Sequence, residues 1–178
     1  MIGSSFANRV VDESNQHRRP FLGSHRALAA CTRELRRLND EVMQGVAALS
    51  SVDAEEKAVL RQSPDRCIVQ LGPVALTVAW LRSTHDSAAT GELLVIVWRG
   101  TVAPRNKQHQ PERPLVGPAP VGATLLWEQV LTAVADSEAD WSWQPRETDL
   151  APLSSTALAA RCVEQLRAAY LDKGTAVD

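Results

Sequence analysis

Residues Leu93–Val97 read LLVIV, five apolar side chains with no polar one among them. A strand sends successive side chains to opposite faces, so this run offers no face to water. It must lie inside a sheet covered on both sides, by helices or by a partner chain. The run opens a β-rich stretch, Leu93–Val102, LLVIVWRGTV. A second such stretch, Val74–Leu81, VALTVAWL, precedes it, and Arg82–Gly91 between them has the length and polarity of a hairpin tip. Upstream, Cys67–Leu71, CIVQL, forms a short strand, and Gly72-Pro73 marks a turn or bulge.

Helical periodicity flanks this region. Leu28, Cys31, Leu35, Leu38, Val42 and Leu49 recur at three- and four-residue spacing after Ser24, a suitable N-cap, with Gly45 in the one gap. The spacing predicts a helix over 24–49 with a narrow apolar seam. The seam lies across a sheet or pairs with a second copy as a coiled coil. A shorter helix is expected next, capped at Ser51 or Asp53, running through Ala58 and Leu60 to Gln62, and stopped by Ser63-Pro64. Near the end, Leu158, Cys162, Leu166 and Ala169 line one face of a helix over 154–171, capped by Ser154 or Ser155.

Residues 123–135, ATLLWEQVLTAVA, fit both periods; strand is preferred, because Asp136–Asp140 and Trp141-Ser142-Trp143 then form its turn and return strand. The expected fold is α+β: a curved antiparallel sheet of about five strands, with the long N-terminal helix and the C-terminal helix packed on it. Residues 1–23 read as a flexible arm, and 24–178 as a single α+β domain. Within that domain, 104–122 carries five prolines and reads as a mobile loop.

Composition narrows the function classes. Net charge is −2, so no global field draws the chain to nucleic acid or an anionic membrane. Basic charge comes as 16 Arg against 3 Lys, and acidic residues interrupt both the Arg33, Arg36, Arg37 cluster and the Arg105, Lys107, Arg113 set. No stretch of 18 apolar residues exists, and the first eleven residues lack a leader's apolar core. Cys31, Cys67 and Cys162 are too few and too scattered for a disulfide framework or a zinc site. Cytoplasmic localisation is expected on this ground.

No catalytic motif emerges. His17, His25, His85 and His109 show no metal-ligand spacing. His85-Asp86 sits at a loop tip, Cys67 beside Arg66 is the best thiolate candidate, and Asp53, Glu55 and Glu56 suit a helix N-terminus. Glycine loops of dinucleotide or P-loop type are missing, so no metal and no cofactor are expected.

Tryptophan is the remaining signal. The chain holds five, against two Phe and one Tyr. Trp80, Trp98 and Trp127 either fill the core or line a pocket for an apolar ligand, with His85, Asp86 or Arg99 as polar features. Trp141 and Trp143 share one face of an outer strand and mark a protein contact. With Leu28, Leu35, Leu38 and Val42 they define the expected interface. The reading is a non-enzymatic interaction protein that self-associates or serves as an accessory subunit. Its alternatives are a tryptophan-lined ligand-binding or enzymatic cavity and a nucleic-acid-binding accessory protein. A protein partner or homo-oligomer is expected; nucleic acid and membrane are not.

Overall fold

The computed structural model describes residues 21–52, 57–82, 87–100, 123–146 and 149–172. Most of the N-terminal arm, the proline-rich stretch 104–122, His17, His85, Asp86 and His109, and the acids Asp53, Glu55 and Glu56 lie outside them.

Helix α1 spans His25–Val52, about 42 Å at 1.5 Å per residue. The Ser24 hydroxyl accepts from the Ala27 amide at 3.2 Å, satisfying one of the helix's orphan donors. Its buried stripe runs Ala27, Cys31, Leu35, Leu38, Val42, Val46, while Leu28 and Leu49 are half-buried. Val46 therefore occupies the place that the heptad reading left to Gly45.

Six strands follow: β1 (Val59–Ser63), β2 (Arg66–Leu71), β3 (Val74–Leu81), β4 (Glu92–Arg99), β5 (Thr124–Ala135) and β6 (Trp141–Pro145). They pair in chain order, every neighbour antiparallel, into one open meander. Helix α2, Ser155–Leu171, closes the sequence of elements, with the Ser154 hydroxyl accepting from Ala157 N at 3.1 Å. The α+β class and both long helices agree with the sequence reading. So does the strand assignment at 124–135.

The sheet has six strands rather than five, because 59–63 is a strand and not the expected short helix. Its register is unbroken, from Val59 opposite Gln70 to Ser63 opposite Arg66. The Ser63-Pro64 signal is the start of a hairpin turn, where proline presets φ and the Ser63 hydroxyl donates to Asp65 at 3.0 Å. Pairing with β2 outweighs local preference, as is usual for strands. At the next hairpin, Gly72-Pro73 forms a two-residue connection with Gly72 at φ +56°, a conformation that suits glycine.

Both helices pack on one face of the sheet. There Val69, Leu76, Val95 and Leu131 meet the α1 stripe and Leu158, Cys162 and Leu166 of α2. On the opposite face Ile68, Ala75, Leu94, Ile96 and Trp98 form a second buried cluster. Strand β4 is thus buried on both sides, as its apolar run requires.

Candidate functional site

The structure separates the three tryptophans expected to line a pocket. Trp98 lies opposite Ala75 in the β3–β4 ladder, and five residues separate Ala75 from Trp80. An odd separation reverses the face. Trp80 therefore points to the helices, and Trp98 points away from them and donates to Thr77 Oγ1 at 3.0 Å. Trp127 is half-buried on the helix side, with the Arg161 guanidinium 5.9 Å from its ring centre, a cation–π contact.

A different tryptophan set comes together. Trp80 and Trp143 meet edge to face at 5.9 Å, and Trp143 meets Trp141 at 5.7 Å. Trp141 and Trp143 are both buried on the helix face of β6. Leu35, Leu38 and Val42 are likewise buried against the chain's own sheet, with Leu28 half-buried beside them. The seam of α1 thus serves the core. Gly91 makes room for Trp80: a Cβ there would stand 2.1 Å from the ring.

A polar chain ties this cluster to both helices. Trp143 Nε1 donates to Ser155 Oγ at 3.0 Å, and Ser155 Oγ donates to Glu34 Oε2 at 2.7 Å. Ser155 is buried, so its hydroxyl is a structural link rather than an accessible nucleophile. The thiols are also withdrawn. Burial pushes Cys31 up to about 12, Cys67 to about 11 and Cys162 to about 12, opposite to what a reactive thiolate needs. Arg99 donates to the Asp172 carbonyl at 2.7 Å, fastening β4 to the end of α2. Among the described residues no group of His, Cys, Asp and Glu is arranged to hold a metal ion. No helix of the described residues is long and apolar enough to cross a membrane.

Two surface features of the described residues bear on binding. The first is a groove of about 790 Å³ between α1 and α2, on the side away from the sheet. Gly45, Leu49, Ala159, Ala160 and Val163 supply its apolar surface. The helices approach closely here, since a Cβ on Gly45 would lie 2.7 Å from Val163 Cγ2. Arg37, Glu41 and Gln44 line one wall, and Thr156, Glu164 and Arg167 the other. Arg37 donates to Glu41 at 3.0 Å and to Thr156 at 3.1 Å, and Thr156 donates to Glu41 at 2.9 Å. No tryptophan lines the groove. Sequence reasoning missed it, although small residues at Gly45, Ala159 and Ala160 were its visible trace.

The second is the edge strand β1, where Val59 and Leu60 are exposed. At the other edge the chain covers itself: Trp143 and Leu153 exchange backbone hydrogen bonds of 2.8 and 2.9 Å.

Among the described residues the architecture is α+β, a six-stranded antiparallel meander with α1 and α2 on one face. Comparison with known proteins finds no family model, no curated protein and no solved structure that matches this chain.

Proposed function

We propose that this is a non-enzymatic interaction protein whose α1/α2 groove receives an amphipathic helix from a protein partner. The observation that carries the reading is the groove itself: an apolar floor with small residues, between two close helices, rimmed by polar side chains. Small residues let a third helix approach, and an apolar floor with a charged rim matches the helix-in-groove mode of recognition. The volume also lies in the range of small-molecule pockets. Such pockets enclose most of their ligand, whereas Arg37, Gln44, Ala160, Glu164 and Arg167 on these walls are exposed. Each wall carries both signs of charge, which suits a mixed protein surface and not a polyanion.

Ala160 offers the test. A photoreactive side chain placed there, in the native host, is expected to capture a protein segment that maps to an amphipathic helix. That segment, purified, is expected to bind the wild-type protein and to lose at least tenfold in affinity to Ala160→Arg, which plugs the groove from an exposed position. Unchanged binding to Ala160→Arg would remove the groove from the argument. A reproducible small adduct mass on the purified protein in native mass spectrometry would replace the helix with a small ligand.

A further inference from the structure

We infer that the partner helix in the α1/α2 groove is about three turns long and lies antiparallel to both walls, its N-terminal turn at Glu164 and its C-terminal turn at Arg37. This deepens the proposed function and rests on it.

The two walls run the same way. Glu34 is bonded to Ser155, Arg37 and Glu41 are bonded to Thr156, and Gly45 lies against Val163. Positions therefore rise together along α1 and α2. Parallel helices bring both N-termini to one end of the groove and both C-termini to the other. Each helix end carries about half an elementary charge, positive at the N-terminus and negative at the C-terminus. A third helix lying antiparallel meets the opposite sign at both of its ends. A parallel one meets its own sign twice.

The side chains of the groove share this polarity. Toward the N-termini, Arg37 donates to Glu41 and to Thr156, and Thr156 donates to Glu41, so the set reaches from α1 across to α2. Within that set Arg37 is the more exposed, its side chain 58% against 26% for Glu41. The guanidinium is thus the group that an incoming helix meets, and it suits the last carbonyls of that helix. Toward the C-termini stand Glu164 and Arg167. Arg167 has a partner of its own. Glu164 is exposed and makes no ion pair or hydrogen bond among the described residues. A carboxylate placed so suits the first amides of a helix. Backbone dipoles and side-chain charges therefore select the same direction.

The length follows from the same two ends. Thr156 and Arg167 both line the groove, and the stretch of α2 between them covers about 16 Å at 1.5 Å per residue, or about three turns. A helix of that length offers one apolar face at i, i+3 or i+4, and i+7. The floor receives it along Ala160, Val163 and Leu49.

The test uses the full chain and the segment captured through Ala160, made as a synthetic peptide. A photoreactive side chain at Arg167 is expected to attach about two turns N-terminal, in the peptide, to the site that Ala160 captures, read by mass spectrometry of the cross-linked product. Attachment on the C-terminal side would overturn the direction and leave the groove standing. Glu164→Lys is expected to weaken binding about three- to tenfold, with an unchanged circular dichroism spectrum; wild-type affinity in that variant would overturn the assigned ends. A peptide trimmed to three turns about the captured site is expected to bind within threefold of the whole segment, and a tenfold loss would overturn the length. Binding that Ala160→Arg leaves unchanged would remove the groove, and this inference with it.

Discussion

Ser155→Ala removes one oxygen and disconnects three elements. The Ser155 hydroxyl accepts from Trp143 on β6 and donates to Glu34 on α1, while Ser155 itself opens α2. The two partners differ in what they can recover. Glu34 is half-buried, so its carboxylate can rehydrate. Trp143 is fully buried, so its indole N–H is left without an acceptor. A buried donor left unsatisfied costs about 1–3 kcal/mol, and a hydrogen bond to a charged acceptor contributes about 1.5–3 kcal/mol. Discounting the second for rehydration gives a total near 2–4 kcal/mol. With a urea m-value of about 2 kcal/mol/M, the midpoint should fall by roughly 1–2 M. Urea unfolding followed by far-ultraviolet circular dichroism measures this directly. A double-mutant cycle with Trp143→Phe should show strong coupling, since either change removes the same bond. A loss below about 0.5 kcal/mol for Ser155→Ala would refute the view that this chain joins the helices to the sheet, the threshold being the usual scatter for neutral surface changes.

Gly91→Ala should destabilise by about 1–3 kcal/mol, the usual cost of overpacking, because the new Cβ meets the Trp80 ring at 2.1 Å. Its diagnostic is a changed near-ultraviolet tryptophan spectrum, since Trp80 cannot shift without disturbing its edge-to-face contact with Trp143. The cysteines set an alkaline limit. Their folded values lie above the unfolded 9.0, at about 12 for Cys31 and Cys162 and about 11 for Cys67, through burial. The native state thus holds protons that the unfolded state releases. Their stabilising contribution is full below pH 9 and is lost progressively as pH rises toward the folded values. Thermal midpoints should fall above about pH 9, and the triple Cys→Ala variant should lose that part of the decline; an identical alkaline slope in the variant would refute the assignment.

The tryptophan set shows where sequence reading succeeded and where it stopped. Trp80, Trp98 and Trp127 were open between core and pocket, and Trp141 and Trp143 were assigned to an interface, whereas all but the half-buried Trp127 are buried in the two clusters of the sheet. Which indoles meet was not legible, because parity along one strand says nothing about a neighbouring strand until the register is known. Pairing Trp98 with Ala75 sends it away from Trp80, whereas pairing Trp143 with Ala133 puts it on the helix side. The α1 seam was legible as a helix, but its partner was not: an apolar stripe fits a sheet as well as a second helix. The short helix expected over 51–62 failed because Val59–Ser63 has few residues and an ambiguous pattern, and its strand identity comes from pairing with β2.

Local chemistry alone therefore determined the elements with a strong period or cap: the long helix after Ser24, the two-sided strand at LLVIV, the Gly72-Pro73 turn and the helix after Ser154. These depend on contacts within a few residues of chain, which the amino-acid order records directly. Tertiary structure decided which sheet face carries the helices, which tryptophans touch, how α1 and α2 leave a groove between Gly45 and Ala160, and which edge Leu153 covers. Each of those is a relation between residues distant in the chain, set by register and by the close approach of packed helices, and no local pattern encodes it.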